Sequence, residues 1–122
     1  MFLLTLMLAP VAPTALTERH QQDIACVVEI AVVADAQKRG VAGGVDVREN
    51  GRRWAGIVGD RIVFETGQPR ELVAVAMQEV AKASAGKAPN PANVDACTRR
   101  MMGDLALTDA ASQPLPKPVK AR

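Results

Sequence analysis

Apolar positions fall in four blocks along the chain, with polar, glycine or proline residues between them. The first and densest is residues 17–39, whose centre, 24–36, is apolar except for Glu29 and Asp35. A helix apolar nearly all round must be wrapped by the rest of the protein, so this block predicts a central helix. Thr17 can accept from the free N–H groups of its first turn, and Gly40 can take the left-handed conformation that closes its last. Lys38 and Arg39 bring positive charge to the negative end of the helix dipole. Residues 27–33 are dense in β-branched side chains and read alternatively as a buried strand, but their helical flanks favour the helix. The run is too short and too charged for a membrane span, which needs about 20 apolar residues.

The second block, 43–67, supports two incompatible patterns. As β-structure, residues 45–49, 52–58 and 61–66 are strands joined at Asn50-Gly51 and Gly59-Asp60, and Asn-Gly is the strongest short hairpin signal. As a helix, Asp46 and Glu49 frame a capping box, and Trp54, Ile57, Val58 and Ile62 recur at helical spacing. Glu49 also precedes Arg53 by one helical turn in the favourable order. Against the helix, Gly51, Gly56 and Gly59 each cost about 1 kcal/mol relative to Ala. Local pattern leaves the two level. The third block is clearer: Pro69 suits a first helical position, and Leu72, Val73, Ala76, Met77 and Val80 form an apolar face with Val75 before Gly86. In the fourth, Asn90 caps and Pro91 starts a helix carrying Val94, Cys97, Met101 and Leu105 at spacings of three or four, with Cys97 inward.

The order of parts is a first helix with Ala25-Cys26, a central Gly51-Arg-Arg-Trp-Ala-Gly-Ile-Val-Gly59 and then Thr66-Gly-Gln-Pro-Arg-Glu71. Over about residues 17–100 this resembles small exported bacterial helical proteins with two cysteines. The resemblance implies a wholly helical fold, which tips the second block to helix; it implies no activity. Val94-Asp-Ala-Cys97-Thr98 also looks like the second half of the cysteine pattern of HdeA-type periplasmic acid-stress chaperones, which are small, helical and closed by one disulfide. That likeness is architectural and covers short segments, and the glycine-rich centre departs from it.

Aromatic residues are only 2% of the chain, so Trp54 and Phe64 are the large anchors expected in the core, packed among Ala and Val. A net charge of +2 is too small to argue for nucleic acid, and no interleaved aromatics offer a stacking platform. Residues 1–15 read as a signal peptide ending at Ala12 or Ala15, although no Lys or Arg precedes the apolar run. A retained anchor, or an apolar arm packed on the domain, is the other reading of that segment. Residues 16–107 then form a single helical domain. Residues 108–122, with Pro114, Pro116 and Pro118 among Lys117, Lys120 and Arg122, read as a disordered basic tail.

Two cysteines behind an export signal read as one disulfide, Cys26 to Cys97, joining the first and last helices. Closing a loop of about 70 residues stabilises a fold by about 4 kcal/mol in the chain-entropy model. Two separate buried thiols are the alternative, and no Cys-x-x-Cys supports redox activity. His20, the single histidine, reads as a solvated surface residue, with neither the companion ligands a zinc site needs nor a group to orient it beside a nucleophile. Ser84-Ala-Gly-Lys87 matches the Ser-x-x-Lys of penicillin-recognising enzymes without its companion motifs. Gly51 and Gly56 are spaced like the ends of a phosphate loop, but Ile57 and Val58 stand where Lys-Ser/Thr is required.

Arg48, Arg52, Arg53 and Arg61 make the densest basic cluster. On a helix Arg48 and Arg52 share a face while Arg53 can pair with Glu49. A solvated face is the plain reading, and an anion or partner contact at Arg48, Arg52 and Arg53 the sharper one. Asp60, Glu65, Glu71 and Glu79 show no spacing that favours an acid–base pair.

The sequence therefore predicts an all-α fold of about four helices in a small bundle with one disulfide, the alternative being α+β with a short β-meander at residues 44–66. It predicts a periplasmic or secreted, non-enzymatic binding or chaperone-like accessory factor with an unidentified protein partner. No metal, cofactor or nucleic acid is expected, and membrane contact only through an uncleaved signal. The competing readings are a cytosolic helical adaptor with reduced cysteines, and a small enzyme using Arg48, Arg52, Asp60 and Glu65.

Overall fold

A computed structural model describes residues 12–113. Four helices follow one another among these residues: α1 (Glu18–Lys38), α2 (Arg48–Thr66), α3 (Arg70–Ser84) and α4 (Pro91–Ser112). The fold is all-α, and neither the strand at 27–33 nor the meander at 44–66 forms. α1 and α2 pack on each other, and α3 and α4 each pack on both, with no close backbone approach between α3 and α4.

The termini of α1 form as their chemistry requires. Thr17 Oγ1 accepts the His20 N–H at 3.2 Å while His20 Nδ1 accepts the Thr17 N–H at 3.1 Å, a capping box with histidine in the place usually held by Glu or Gln. At the other end Gly40 turns to φ +73°, letting Val41 N–H reach the Ala36 carbonyl and Gly40 N–H that of Gln37. Those are the two bonds of a Schellman motif. The expectation that α1 is wrapped all round is corrected: Ala25, Ala31 and Val32 remain exposed because its three neighbours do not close around the whole helix.

Side-chain pairs fix α2 antiparallel to α1. Gln37 Oε1 accepts the Val47 N–H at 3.0 Å, Ile30 meets Gly51, Asp23 meets Arg61, and His20 faces Glu65. A Cβ on Gly51 would stand 2.8 Å from Ile30 Cγ2, so this glycine permits the close helix approach rather than a hairpin turn. Trp54, Val58 and Ile62 are fully buried and pack with Ile24 and Ile30 of α1 and Met101 and Leu105 of α4. That continuous stripe is available only at helical spacing, which is why the helix prevails over the turn signals. Phe64, expected as a core anchor, is 90% exposed: it lies two residues beyond Ile62, on the opposite side of the helix. Asp46 caps from one residue further out than the expected box, its Oδ1 accepting the Arg48 N–H at 3.0 Å while Val47 occupies the cap position.

Pro69 stands at the cap of α3, one residue before the position expected of it, and Asn90 caps α4 through Oδ1 to Ala92 N–H at 2.9 Å with Pro91 following. Cys26 and Cys97 form a disulfide across 71 residues with their Cα atoms 5.1 Å apart, fastening α1 to α4. α4 runs through Ser112, so residues 108–112, expected in a disordered tail, are helical; the Thr108 and Ser112 hydroxyls bond the carbonyls one turn back. The rest of that tail from 114, and residues 1–11 of the expected signal, lie outside the described residues. Within reach of the domain, Thr14 N–H donates to the Thr66 carbonyl at 2.8 Å and Gln68 Nε2 to the Thr14 carbonyl at 2.7 Å. Removal after Ala12 keeps these bonds, and removal after Ala15 breaks them. No described helix is long and apolar enough to cross a membrane.

Candidate functional site

The arginines of α2 divide between two sides of the helix. Arg48 and Arg52, one turn apart, both line a groove against α1, together with Lys38 and Asp35. Arg53 turns the other way and pairs with Asp109 of α4 rather than with Glu49. The expected trio is thus two groove residues and one interhelical strut. Arg48 also forks onto its own Asp46, Nη2 to Oδ2 at 2.8 Å, and this side-chain bond with the Arg48 N–H holds the Asp46 carboxyl down at about 2. Arg48, Arg52, Asp60 and Glu65 do not assemble. Arg48 and Glu65 lie about 26 Å apart along α2, Asp60 pairs with Arg70, and Glu65 faces His20.

A second constellation, absent from the sequence reading, joins three helices. Asp23 of α1 is 3% exposed; its Oδ1 accepts from Arg100 Nε of α4 at 2.7 Å, and Arg61 of α2 stands 3.7 Å from its Oδ2. Arg61 donates to Asp104 of α4 at 2.6 Å, and Asp104 accepts the Trp54 indole N–H at 2.8 Å. Burial alone would raise the Asp104 pKa, but the bonds from Arg61 and Trp54 outweigh it and hold the carboxyl below its usual range. Arg100 and Arg61 fasten these acids across three helices, which fixes helix register, while Asp23 Oδ2 is buried without a hydrogen-bond partner among the described residues. His20 corrects the surface reading: it is 3% exposed, with Nδ1 committed to the α1 cap and Nε2 3.6 Å from Glu65. The Thr17-x-x-His20 spacing carried that signal in the sequence, once histidine is allowed the accepting role.

Beyond these, an open groove of about 430 Å³ runs between α1 and α3, with Val28, Val32, Met77 and Ala81 along it. Another, of about 320 Å³, flanks the disulfide, where Glu29 Oε1 is buried without a hydrogen-bond partner among the described residues. Among those residues no three His, Cys, Asp or Glu side chains stand together as metal ligands would. The α1–α2 and α1–α3 grooves offer mainly apolar contact, with cationic hydrogen-bond donors at Lys38, Arg48 and Arg52 of the first. Comparison with protein-family models, with curated proteins and with solved structures finds no match to this chain.

Proposed function

We propose that this protein is a small exported binding factor, periplasmic or secreted and non-enzymatic, that holds apolar segments of other proteins in a chaperone-like or accessory role. The observation that carries the reading is the open apolar groove between α1 and α3, with Met77 in its wall and Val32 exposed at its edge. Methionine adapts its shape to irregular partners, and apolar surface of this kind outside a core marks interaction sites. Export is supported by the Cys26–Cys97 disulfide, since such bonds persist in oxidising compartments, and by the apolar character of residues 1–15.

The test is fluorescence of an environment-sensitive apolar dye, together with suppression of client aggregation, from pH 7 to pH 2. Both should rise as acid loosens the helices and widens the groove, and flat profiles would sink the chaperone-like reading. Compartment is read separately from the intact mass of protein taken from its native host and alkylated without reduction. Loss of the first 12 to 15 residues with no alkylated cysteine is expected; a full-length chain with two alkylated thiols would put the cytosolic adaptor in front.

A further inference from the structure

α1 is open on its α2 side as well as its α3 side, and the ridge Val27, Ala31, Asp35 separates the two grooves. The groove against α2 has a volume of about 310 Å³, at the lower end of the roughly 300–1,000 Å³ of small-molecule sites. Its chemistry is sorted by position. Because α1 and α2 run antiparallel, Lys38 and Arg48 meet at the end where the helices connect, with Arg52 one turn further in. Val27 and Ala55 form the opposite end, and Ala31, Ala34 and Gly51 keep the floor between them low. From Val27 to Lys38 the groove follows α1 for about 16 Å. Of the charged side chains lining it, three are cations and one is a carboxylate, Asp35, already bonded to Arg39 at 3.0 Å, while Asp46, outside the lining, pairs with Arg48. Arg48 spends two donors on Asp46 and keeps others, since a guanidinium has five.

We propose that this groove binds single-chain carboxylate amphiphiles. Arg52, Arg48 and Lys38 receive the carboxylate, and the alkyl chain lies over Ala31 and Ala55 toward Val27. A cationic end and an apolar end, separated by the length of a short alkyl chain, complement an amphiphile better than either a bare anion or a neutral hydrocarbon. Guanidinium groups suit a carboxylate because two parallel N–H bonds match its two oxygens. An amphipathic helix, about 10 Å across with its side chains, would overfill a space of this size. The site lies across the α1 ridge from the groove proposed for apolar protein segments, and either could fail without the other.

The experiment is calorimetric titration of the full chain, disulfide intact, with decanoate below its micelle concentration at pH 7. Decanol and decyltrimethylammonium serve as neutral and cationic counterparts. Decanoate should bind with one-to-one stoichiometry, decanol about tenfold more weakly, and the ammonium not measurably. The double variant Arg48→Glu with Arg52→Glu, at two exposed positions although Arg48 gives up its pair with Asp46, should weaken decanoate at least about tenfold. Ala55→Trp should fill the apolar end and abolish binding, and Arg99→Glu, on the exposed side of α4, should change nothing. Circular dichroism on each variant separates lost binding from lost folding, and the arginine pair decides the matter where Ala55→Trp does not fold. Equal affinity for decanoate and decanol, undiminished binding by the double variant, or no heat at millimolar decanoate would each overturn the proposal. Binding to phosphatidylglycerol vesicles that decanoate does not displace would overturn it in favour of a membrane surface.

Discussion

Three glycines of α2 look alike in the sequence and differ completely in what they touch. A Cβ on Gly51 would stand 2.8 Å from the branched Ile30 side chain, itself only 1% exposed, whereas nothing lies within 4 Å of a Cβ on Gly56 or Gly59. Replacing glycine by alanine in a helix gains about 1 kcal/mol of backbone propensity at any of the three positions. At Gly51 that gain meets overpacking, which costs roughly 1–3 kcal/mol when the neighbour is stiff at χ1 and enclosed. Gly56→Ala and Gly59→Ala should therefore each raise stability by about 0.5–1 kcal/mol in urea unfolding, and Gly51→Ala should lower it by about 1 kcal/mol. Stabilisation by Gly51→Ala would mean that α1 and α2 lie further apart than described. Phe64 makes the complementary point: a large apolar side chain two residues off the buried stripe stays outside, and Trp54 with Ile24, Ile30, Ile62 and Met101 fills the core instead.

Among the elements, α3 is the least secured. Val73 is its single buried residue, it has no side-chain cap, and its backbone makes no close approach to α4. α1 and α4 are by contrast fastened by the disulfide and by Asp23 to Arg100. Segments with few buried contacts open at free energies well below global unfolding. Amide exchange at pH 7 should thus be fastest in the middle of α3 and slowest near Ile30, Trp54 and Met101, and equal protection in α3 and α1 would contradict this ranking. How much of each element was legible follows from where its signals lie. α4 was readable because Asn90, Pro91 and the Val94, Cys97, Met101, Leu105 stripe are local, although its end was set five residues short. α2 was ambiguous because Asn50-Gly51 reads identically as a hairpin turn and as a helix contact, and the side chain that decides, Ile30, lies on another helix. Burial of His20 and the turning of Arg53 toward Asp109 depend likewise on distant partners, Glu65 and α4. The arginine pair facing α1 was readable, since Arg48 and Arg52 share a helix face whatever lies opposite.

At the scale of the whole molecule, carboxylates that hold helices together are the groups most exposed to acid. Bonds from its guanidinium partners, and for Asp104 also from Trp54, hold Asp46, Asp104 and Asp109 below the ordinary value of 3.8. Depressed carboxylate values stabilise the fold fully above the unfolded-state pKa, and that contribution is lost as pH falls through the folded-state values. The thermal midpoint should therefore be level from pH 7 to about 5 and decline from about pH 4 toward 2. Asp46 and Asp109 are open to water, so most of the structural consequence falls to Asp104, which ties α4 to Arg61 and Trp54 of α2. Asp104→Asn keeps the shape and an acceptor for the indole but removes the charge. It should cost about 2 kcal/mol at pH 7, the scale of a hydrogen bond to an ionised group, and progressively less below pH 4, where the native residue is itself neutralised. Convergence of the two stability profiles near pH 2 is the expected result, and a gap that stayed constant with pH would place the effect in packing rather than charge. Disulfide exchange requires thiolate, which acid suppresses, so the Cys26–Cys97 link outlasts the ion pairs. The acid form is then a loosened but still stapled bundle, with α3 freest to move away from the groove it shares with α1.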